Sequence, residues 1–121
     1  KISSHPGNPD YEVQPELLDL FQQGDFGRYA DRDGQMHLCF LSNNDITGGN
    51  SGSAMFNGRG ELLGLAFDGN WEAMSSDLSY EPRLQRTIGV DIRYILFIIE
   101  KYGQATHLID ELNLVTTSPA R

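Results

Sequence analysis

Apolar and polar residues follow patterns that predict short strands in the middle of the chain and helices towards its two ends. Four short runs rich in apolar side chains are bounded by glycine, asparagine or aspartate, which is typical of strands. These predicted strands are residues 36–42, 52–57, 61–67 and 87–92. A helix is predicted to begin at Pro15 and to end before Gly24, because leucine and phenylalanine recur between them at helical spacing. Residues 92–102 are apolar on several sides, which predicts a mostly buried helix.

These patterns divide the chain into three stretches. Residues 1–35 are predicted to be an irregular lead-in with a short helix, and residues 114–121 a frayed tail. Residues 36–113 contain all the predicted strands, the apolar helix and a shorter amphipathic stretch that closes the domain. Residues 57–60 (NGRG) predict a hairpin between the second and third strands.

The composition is that of an acidic protein of modest size. The 121 residues include 17 acidic and 9 basic side chains, a formal net charge of −8, which argues against electrostatic binding of nucleic acid. No apolar run approaches the roughly 18 residues that a membrane-spanning helix needs, so we expect no membrane partner. The single Cys39 lies in an apolar strand pattern and is predicted to be a buried thiol. The first residues contain neither an initiator methionine nor an apolar leader, so we expect the chain to be a piece of a longer protein.

A glycine-rich stretch, residues 47–53 (TGGNSGS), interrupts the strand pattern after the first predicted strand. Glycine permits the backbone conformations that turn N–H groups towards one point, and Ser51 projects a hydroxyl from such a turn. The N–H groups of Gly49 and Ser51 are therefore a candidate oxyanion hole, with Ser51 as a candidate nucleophile for acyl transfer. The alternative is an ordinary surface loop, and the strand before it and the apolar residues after it favour the nucleophile loop of a trypsin-like serine peptidase.

The chain offers no convincing general base for such a nucleophile. A serine hydroxyl needs a base at hydrogen-bond distance, usually a histidine oriented by a carboxylate. His5 lies in the lead-in, His37 on the first predicted strand and His107 beyond the apolar helix. Each is predicted to have a structural or solvated role. In trypsin-like chain order the base and its aspartate precede the serine and come from the first barrel, outside this chain.

One further motif has the residue types of a metal site. Residues 31–34 (DRDG) resemble the opening of a calcium-binding loop, but the later ligands and the closing glutamate are missing. A turn before the first strand is the better interpretation. We therefore predict no metal and no cofactor.

Three longer stretches carry a specific family resemblance. They are residues 43–53 (NNDITGGNSGS), 64–74 (GLAFDGNWEAM) and the ending formed by 86–88 and 90–99. Together they resemble the C-terminal part of the bacterial dipeptidyl peptidases 7 and 11, over most of residues 36–113. The resemblance implies a serine exopeptidase of Gram-negative bacteria, periplasmic or at the cell surface, that removes dipeptides from free N termini.

The resemblance also implies a fold and a set of site residues. The fold is mainly β: the C-terminal barrel of a trypsin-like double-β-barrel peptidase, with a closing C-terminal helix. Ser51 matches the nucleophile, and Asp68 matches a residue that helps to hold the substrate's α-amino group, as a carboxylate can. Gly69 matches the position that separates the subfamilies: glycine where hydrophobic penultimate residues are preferred, arginine where Asp or Glu is. Glycine at this position predicts open space beside the substrate.

Several alternatives stay open. Asp45 lies six residues before Ser51, where trypsin has the aspartate that binds basic side chains, but it also suits a hydrogen-bonded turn that supports the loop. Without the resemblance, Asp68 and Gly69 read as turn residues, and Trp71 as a core or interface aromatic. The rival functions are a trypsin-like or glutamyl endopeptidase barrel and a non-catalytic β-domain that packs on a partner. Half of a two-barrel enzyme should expose an apolar face, so we expect a homo-oligomer.

Overall fold

The computed structural model describes residues 5–75, 81 and 83–116, and its centre is one antiparallel sheet of four strands. The strands are β1 (Cys39–Ser42), β2 (Ala54–Phe56), β3 (Leu62–Gly69) and β4 (Thr87–Asp91), in the spatial order β1-β4-β3-β2. All four predicted strands and the hairpin between β2 and β3 are confirmed. The fold is mainly β with short helices, and the closed trypsin-like barrel stays a prediction.

One helix precedes the four strands in the chain and two follow them. All three begin and end near the predicted residues. They are α1 (Pro15–Gln23), α2 (Ile92–Phe97), which continues as a π-helical turn (Ile98–Tyr102), and α3 (Thr106–Asp110). Short 3₁₀ segments occur at Pro9–Tyr11, Gly27–Tyr29 and Trp71–Ser75. Gly24 ends α1 at φ +66°, a left-handed conformation that glycine adopts without strain. Among the described residues, no helix has the length and apolar character to cross a bilayer.

A helical core joins the lead-in to the end of the chain. Its buried residues are Tyr29, Leu96, Phe97 and Ile109. The rings of Phe21, Phe26 and Phe97 meet edge to face, with centroids 5.2–5.9 Å apart. Contrary to the prediction, most of the 92–102 helix is only half-buried, because α1 and the turn before β1 cover one side of it.

The inner face of the sheet is packed closely around two glycines. Phe40 and Met55 lie over Gly89, where a β-carbon would be 2.7 Å from the Phe40 ring and 2.8 Å from the Met55 sulfur. A β-carbon on Gly64 would be 2.0 Å from the Val90 carbonyl oxygen and 2.8 Å from the Phe40 ring. These contacts are shorter than ordinary carbon contacts of about 3.5–4.0 Å, so a larger residue in either place would displace Phe40. The two glycines thus make room for the aromatic side chain that seals this face.

The outer face of the sheet is apolar and is left partly uncovered by the described residues. It carries the side chains of Cys39, Leu41, Leu65, Ile88 and Val90, which the strand register places in adjacent rows. Leu41 is 65% exposed, and Cys39 is also exposed. The predicted burial of the thiol is therefore wrong. An apolar strand pattern does not reveal whether anything covers the side of the edge strand on which the cysteine lies.

Candidate functional site

The glycine-rich loop between β1 and β2 is held in shape by Asn50. The Thr47 N–H donates to Asn50 Oδ1 (2.9 Å), and the Asn50 N–H donates back to the Thr47 carbonyl (3.2 Å). Gly49 has φ +92°, which requires glycine at this point of the turn. The Ser53 N–H donates to the Asn50 carbonyl (3.0 Å), so the turn is tied on both sides of Ser51.

Backbone hydrogen bonds fix the loop against β3. The Gly52 N–H donates to the Ala66 carbonyl (2.7 Å), and the Ala66 N–H donates to the Ser53 carbonyl (2.8 Å). Ser51 itself is exposed, and its hydroxyl donates to the Phe67 carbonyl over 3.4 Å, a long and weak bond. The candidate nucleophile is thus accessible and stands beside the end of β3.

The candidate oxyanion donors are available for a ligand. Neither the Gly49 N–H nor the Ser51 N–H donates a hydrogen bond to a residue in the described part of the chain, and both residues are exposed. Backbone donors left unpaired beside an exposed hydroxyl are what stabilisation of a tetrahedral intermediate requires.

A β-bulge brings Asp68 to the same place. The pairing of β3 with β4 shifts between Ala66 and Asp68, so Phe67 has no partner residue and Asp68 pairs with Ile88. Asp68 is exposed, and its Oδ1 accepts the Gly69 N–H (2.8 Å). The interpretation of Asp68 as a turn residue is wrong, because β3 continues through it. Its carboxylate makes no ion pair with a described residue and can meet a cation.

Gly69 is also a strand residue, and the space beside it is occupied. It pairs with Thr87 and is absent from the glycines with positive φ, so it is no turn glycine. A β-carbon there would lie 2.8 Å from Ala73 Cβ and 3.5 Å from Ile46 Cγ2. The prediction of open space beside Gly69 is therefore wrong at close range, because even a β-carbon on residue 69 would collide with Ala73. The position is bordered by two apolar side chains.

Asn70 is a positioning residue that the sequence did not reveal. Its Oδ1 accepts the Arg86 N–H (2.8 Å) and the Ala73 N–H (3.2 Å), and its Nδ2 donates to the Leu84 carbonyl (2.8 Å). The side chain thereby ties the Trp71–Ser75 turn to the segment before β4. The only signal was an asparagine after a strand and a glycine, which also describes an ordinary turn.

Thr87 is a second positioning residue, on the other side of the loop. It is 2% exposed, and its hydroxyl donates to the Asn44 carbonyl (2.7 Å). The bond ties the segment before Ser51 to β4, but residues 43–45 are irregular and do not form the predicted turn. Asp45, however, is exposed, and its carboxylate makes no hydrogen bond or ion pair with the described residues. Trp71 is 81% exposed and is not a core residue of this chain.

None of the three histidines contacts Ser51. His37 Nε2 lies 2.6 Å from Asp31 Oδ2, His5 stacks on the Tyr11 ring at 4.5 Å, and His107 is exposed on α3. Their predicted structural or solvated roles agree with these positions. Among the residues the structure describes, Ser51 has no histidine at hydrogen-bond distance.

The Asp31 turn is confirmed as a turn. Asp31 Oδ1 accepts the N–H groups of Gln35 (2.8 Å) and Asp33 (2.9 Å). The Gln35 N–H first, and then the His37 ring, hold the pKa of the Asp31 carboxyl below its usual range. The described residues contain no group of three or more potential metal ligands.

Comparison with known proteins identifies the family of the chain. The Peptidase S46 family model matches residues 1–114, and so includes the lead-in, which the resemblance had left out. Dipeptidyl-peptidase 7 of Porphyromonas endodontalis is 64% identical over 91% of this chain, and that of Porphyromonas gingivalis is 61% identical. Four relatives with this name are 54–64% identical, and four named Asp/Glu-specific dipeptidyl-peptidase are 44–51% identical.

A solved structure has the same fold over the same residues. The crystal structure of Porphyromonas endodontalis DPP11 in complex with the dipeptide Arg-Glu superposes with a TM-score of 0.86 at 46% identity. The match covers 91% of this chain and 16% of that one. This chain spans only 13–15% of the length of its curated relatives. Sequence and structure agree that the chain belongs to the Peptidase S46 family.

Proposed function

We propose that this chain is the nucleophile-bearing part of a serine dipeptidyl peptidase that releases dipeptides from free N termini. The observation that carries the proposal is the position of Ser51. Its exposed hydroxyl stands between unpaired N–H groups and the end of β3, where Asp68 is exposed.

The chemistry assigns each of these groups one task. Ser51 Oγ attacks the scissile carbonyl carbon while a base takes its proton, and the N–H groups of Gly49 and Ser51 hold the resulting oxyanion. Collapse of this intermediate expels the shortened peptide as an amine, protonated by the base, and leaves a dipeptidyl ester on Ser51. Water then hydrolyses the ester by the same steps. The base and its orienting aspartate come from the remainder of the full-length protein.

Asp68 explains the length of the product. An exopeptidase that releases dipeptides must bind the substrate's α-ammonium group at a fixed distance from the scissile carbonyl. The exposed Asp68 carboxylate lies directly after Phe67, whose carbonyl accepts the Ser51 hydroxyl. A charge-assisted hydrogen bond to the ammonium group sets that distance.

The residues around Gly69 favour hydrophobic penultimate side chains. The position is bordered by Ala73 Cβ and Ile46 Cγ2. Apolar side chains gain roughly 1.5–3 kcal/mol from burial, whereas an acidic one would be desolvated there without a cation. The identity to the relatives named Asp/Glu-specific dipeptidyl-peptidase is lower than to those named Dipeptidyl-peptidase 7, which argues against an acidic preference.

The test uses the full-length protein that contains this chain. Fluorogenic dipeptidyl substrates with Leu, Met, Lys, Asp or Glu in the penultimate position are compared with free and with blocked N termini. We expect release only from free N termini, with Leu and Met preferred. Ser51→Ala should lower kcat/KM by about 10⁴-fold or more. Asp68→Asn should lower it by about 10- to 100-fold, because the variant binds the ammonium group without a charge.

Other outcomes identify the rival functions. Cleavage of blocked substrates after Lys or Arg would assign the pocket to Asp45 and describe a trypsin-like endopeptidase. Cleavage of blocked substrates after Glu would describe a glutamyl endopeptidase. Dipeptide release that persists in the Ser51→Ala variant would mean that this chain is a non-catalytic domain.

The remaining expectations concern partners and location. We propose peptides with free N termini as substrates, no nucleic-acid or membrane partner, and a periplasmic or cell-surface location.

We also propose that the isolated chain self-associates through the outer face of the sheet, where Leu41 is 65% exposed. Analytical ultracentrifugation should show concentration-dependent oligomers, which Leu41→Lys weakens and Leu108→Lys, at an exposed apolar residue of α3, does not. A monomer at all concentrations would contradict this.

A further inference from the structure

We propose that Ala73 is a second specificity-determining position of this peptidase, acting by excluding a side chain from position 69. The inference rests on the proposed function, in which Gly69 borders the penultimate side chain of the substrate. It names a residue outside the nucleophile loop and outside the strand that bears Asp68 and Gly69.

The requirement for glycine at position 69 comes from a neighbour and not from the backbone. Gly69 is an extended strand residue paired with Thr87, and its φ lies outside the range that favours glycine. What prevents a side chain is Ala73, whose β-carbon would be 2.8 Å from one on residue 69. Ordinary contacts between carbons are about 3.5–4.0 Å. Ile46 at 3.5 Å is already in such a contact and needs no movement.

Ala73 is held in that position. Its N–H donates to the Asn70 carbonyl (2.9 Å) and to Asn70 Oδ1 (3.2 Å), and the residue is 9% exposed. Asn70 is bonded in turn to the segment before β4. Moving the whole turn away from position 69 would strain these bonds. Removing the methyl group of Ala73 relieves the contact and leaves the hydrogen bonds in place.

It follows that residues 69 and 73 determine selectivity together. An arginine at position 69 has the planar, permanently charged group that pairs with Asp or Glu, but beside Ala73 its β-carbon must displace the turn. With glycine at position 73 the same arginine can enter without that displacement. Gly69→Arg alone therefore removes the preference for apolar penultimate residues. Gly69→Arg together with Ala73→Gly replaces it with a preference for acidic ones.

The experiment is a double-variant cycle in the full-length protein. Wild type, Gly69→Arg, Ala73→Gly and the double variant are assayed with free-N-terminal substrates bearing penultimate Leu or Glu, with kcat and KM separated. Gly69→Arg combined with Ala54→Gly is the matched control, because Ala54 is an exposed residue of β2 that undergoes the same chemical change. The midpoint of thermal unfolding is measured for every variant.

We expect Ala73→Gly alone to keep Leu preferred over Glu. Gly69→Arg should lose Leu cleavage, gain little on Glu and unfold at a lower temperature than wild type. The double variant should raise kcat/KM for Glu by about tenfold or more over Gly69→Arg, mainly through KM, and recover the unfolding midpoint. The Ala54→Gly combination should do neither.

Two results would overturn the inference while the proposed function stands. One is Gly69→Arg alone reaching the Glu activity of the double variant. The other is recovery of the unfolding midpoint without any gain on Glu, which would make Ala73 a structural residue only. A wild-type protein that releases no dipeptides would overturn the proposed function and this inference with it.

Discussion

The two ends of the sheet differ in how completely their charged and polar groups are paired. At the end near Asp91, which we term the paired end, Arg93 forms a bidentate ion pair with Asp91 (2.6 and 2.9 Å), and His37 is bonded to Asp31 (2.6 Å). At the opposite end, which we term the open end, Ser51 and Asp68 are exposed beside unpaired N–H groups. The site that we propose therefore lies at the end of the sheet where exposed groups lack partners.

The comparison shows that residue type alone does not locate a site. His37 and Asp31 are the pair that a search for a base and its orienting carboxylate would choose. They instead fasten the turn before β1, since Asp31 also accepts two backbone N–H groups. The Ser51 hydroxyl lies at the other end of the strands, so we expect the His37–Asp31 pair to be structural.

The open end depends on paired groups behind it. Asn50 closes the glycine-rich turn around Ser51, Thr87 holds the segment before it, and Asn70 fixes the turn after β3. Each uses its side chain to satisfy backbone groups, which leaves the exposed groups in front of them rigid and unpaired. Such support keeps a site preorganised.

The largest expected effect is on the rate of dipeptide release, which should depend on the open end and not on the paired end. The isolated 121-residue chain should turn over dipeptidyl substrates about 10⁴-fold or more below the full-length protein, because no described histidine reaches Ser51. His37→Gln in the full-length protein should leave kcat/KM within about threefold, as expected for a residue outside the site. Dipeptide release by the isolated chain that is lost with His37→Gln would make the paired end catalytic and break the comparison.

A smaller effect tests the support of the open end. Asn70→Ala removes the side-chain acceptor of the Arg86 N–H and one of the two acceptors of the Ala73 N–H, which keeps its bond to the backbone carbonyl of residue 70. Amide hydrogen exchange at Ala73 and Arg86 in the full-length protein should accelerate by about 10- to 100-fold, since each lost bond weakens the local structure by about 1–3 kcal/mol. Asn57→Ala is the matched control, because Asn57 caps the β2–β3 hairpin in the same way. Equal exchange in the two variants would refute the role of Asn70.

The smallest expected effect is the pH dependence of amide protection at the paired end. Burial raises the pKa of Asp91, but hydrogen bonds from the Arg93 side chain and N–H outweigh burial, so its pKa lies below the ordinary value. A lowered folded-state pKa means that the stabilisation is complete above the unfolded pKa of about 4 and is lost as pH falls through the folded pKa. Protection of the Arg93 amide, corrected for intrinsic exchange, should drop by about fivefold over that range. Asp91→Asn should abolish this pH dependence, and a dependence that persists would point to another group.

The strands, α1 and the glycine-rich loop were predictable because their signals are local. Pro15 and Gly24 mark the ends of α1, and the glycines around Ser51 interrupt a strand pattern. The placement of Asp68 and Gly69 within β3 was not predictable, because the bulge depends on pairing with β4. The exposure of Cys39 and the contact of Ala73 with position 69 likewise depend on residues distant in sequence or on the register of neighbouring strands.

The bulge at Phe67 also constrains how this region can evolve. Side chains alternate between the faces of a strand, so one extra residue reverses the phase of everything after it and turns Asp68 outward and Gly69 inward. Deleting one residue of β3 before Asp68 would turn the Asp68 side chain inward and the residue at position 69 outward. The carboxylate would then be buried. The proposed roles of positions 68 and 69 therefore allow substitution but not a change of length in β3. Insertions and deletions belong in the hairpin turn at residues 57–60, where the phase of β3 is unaffected.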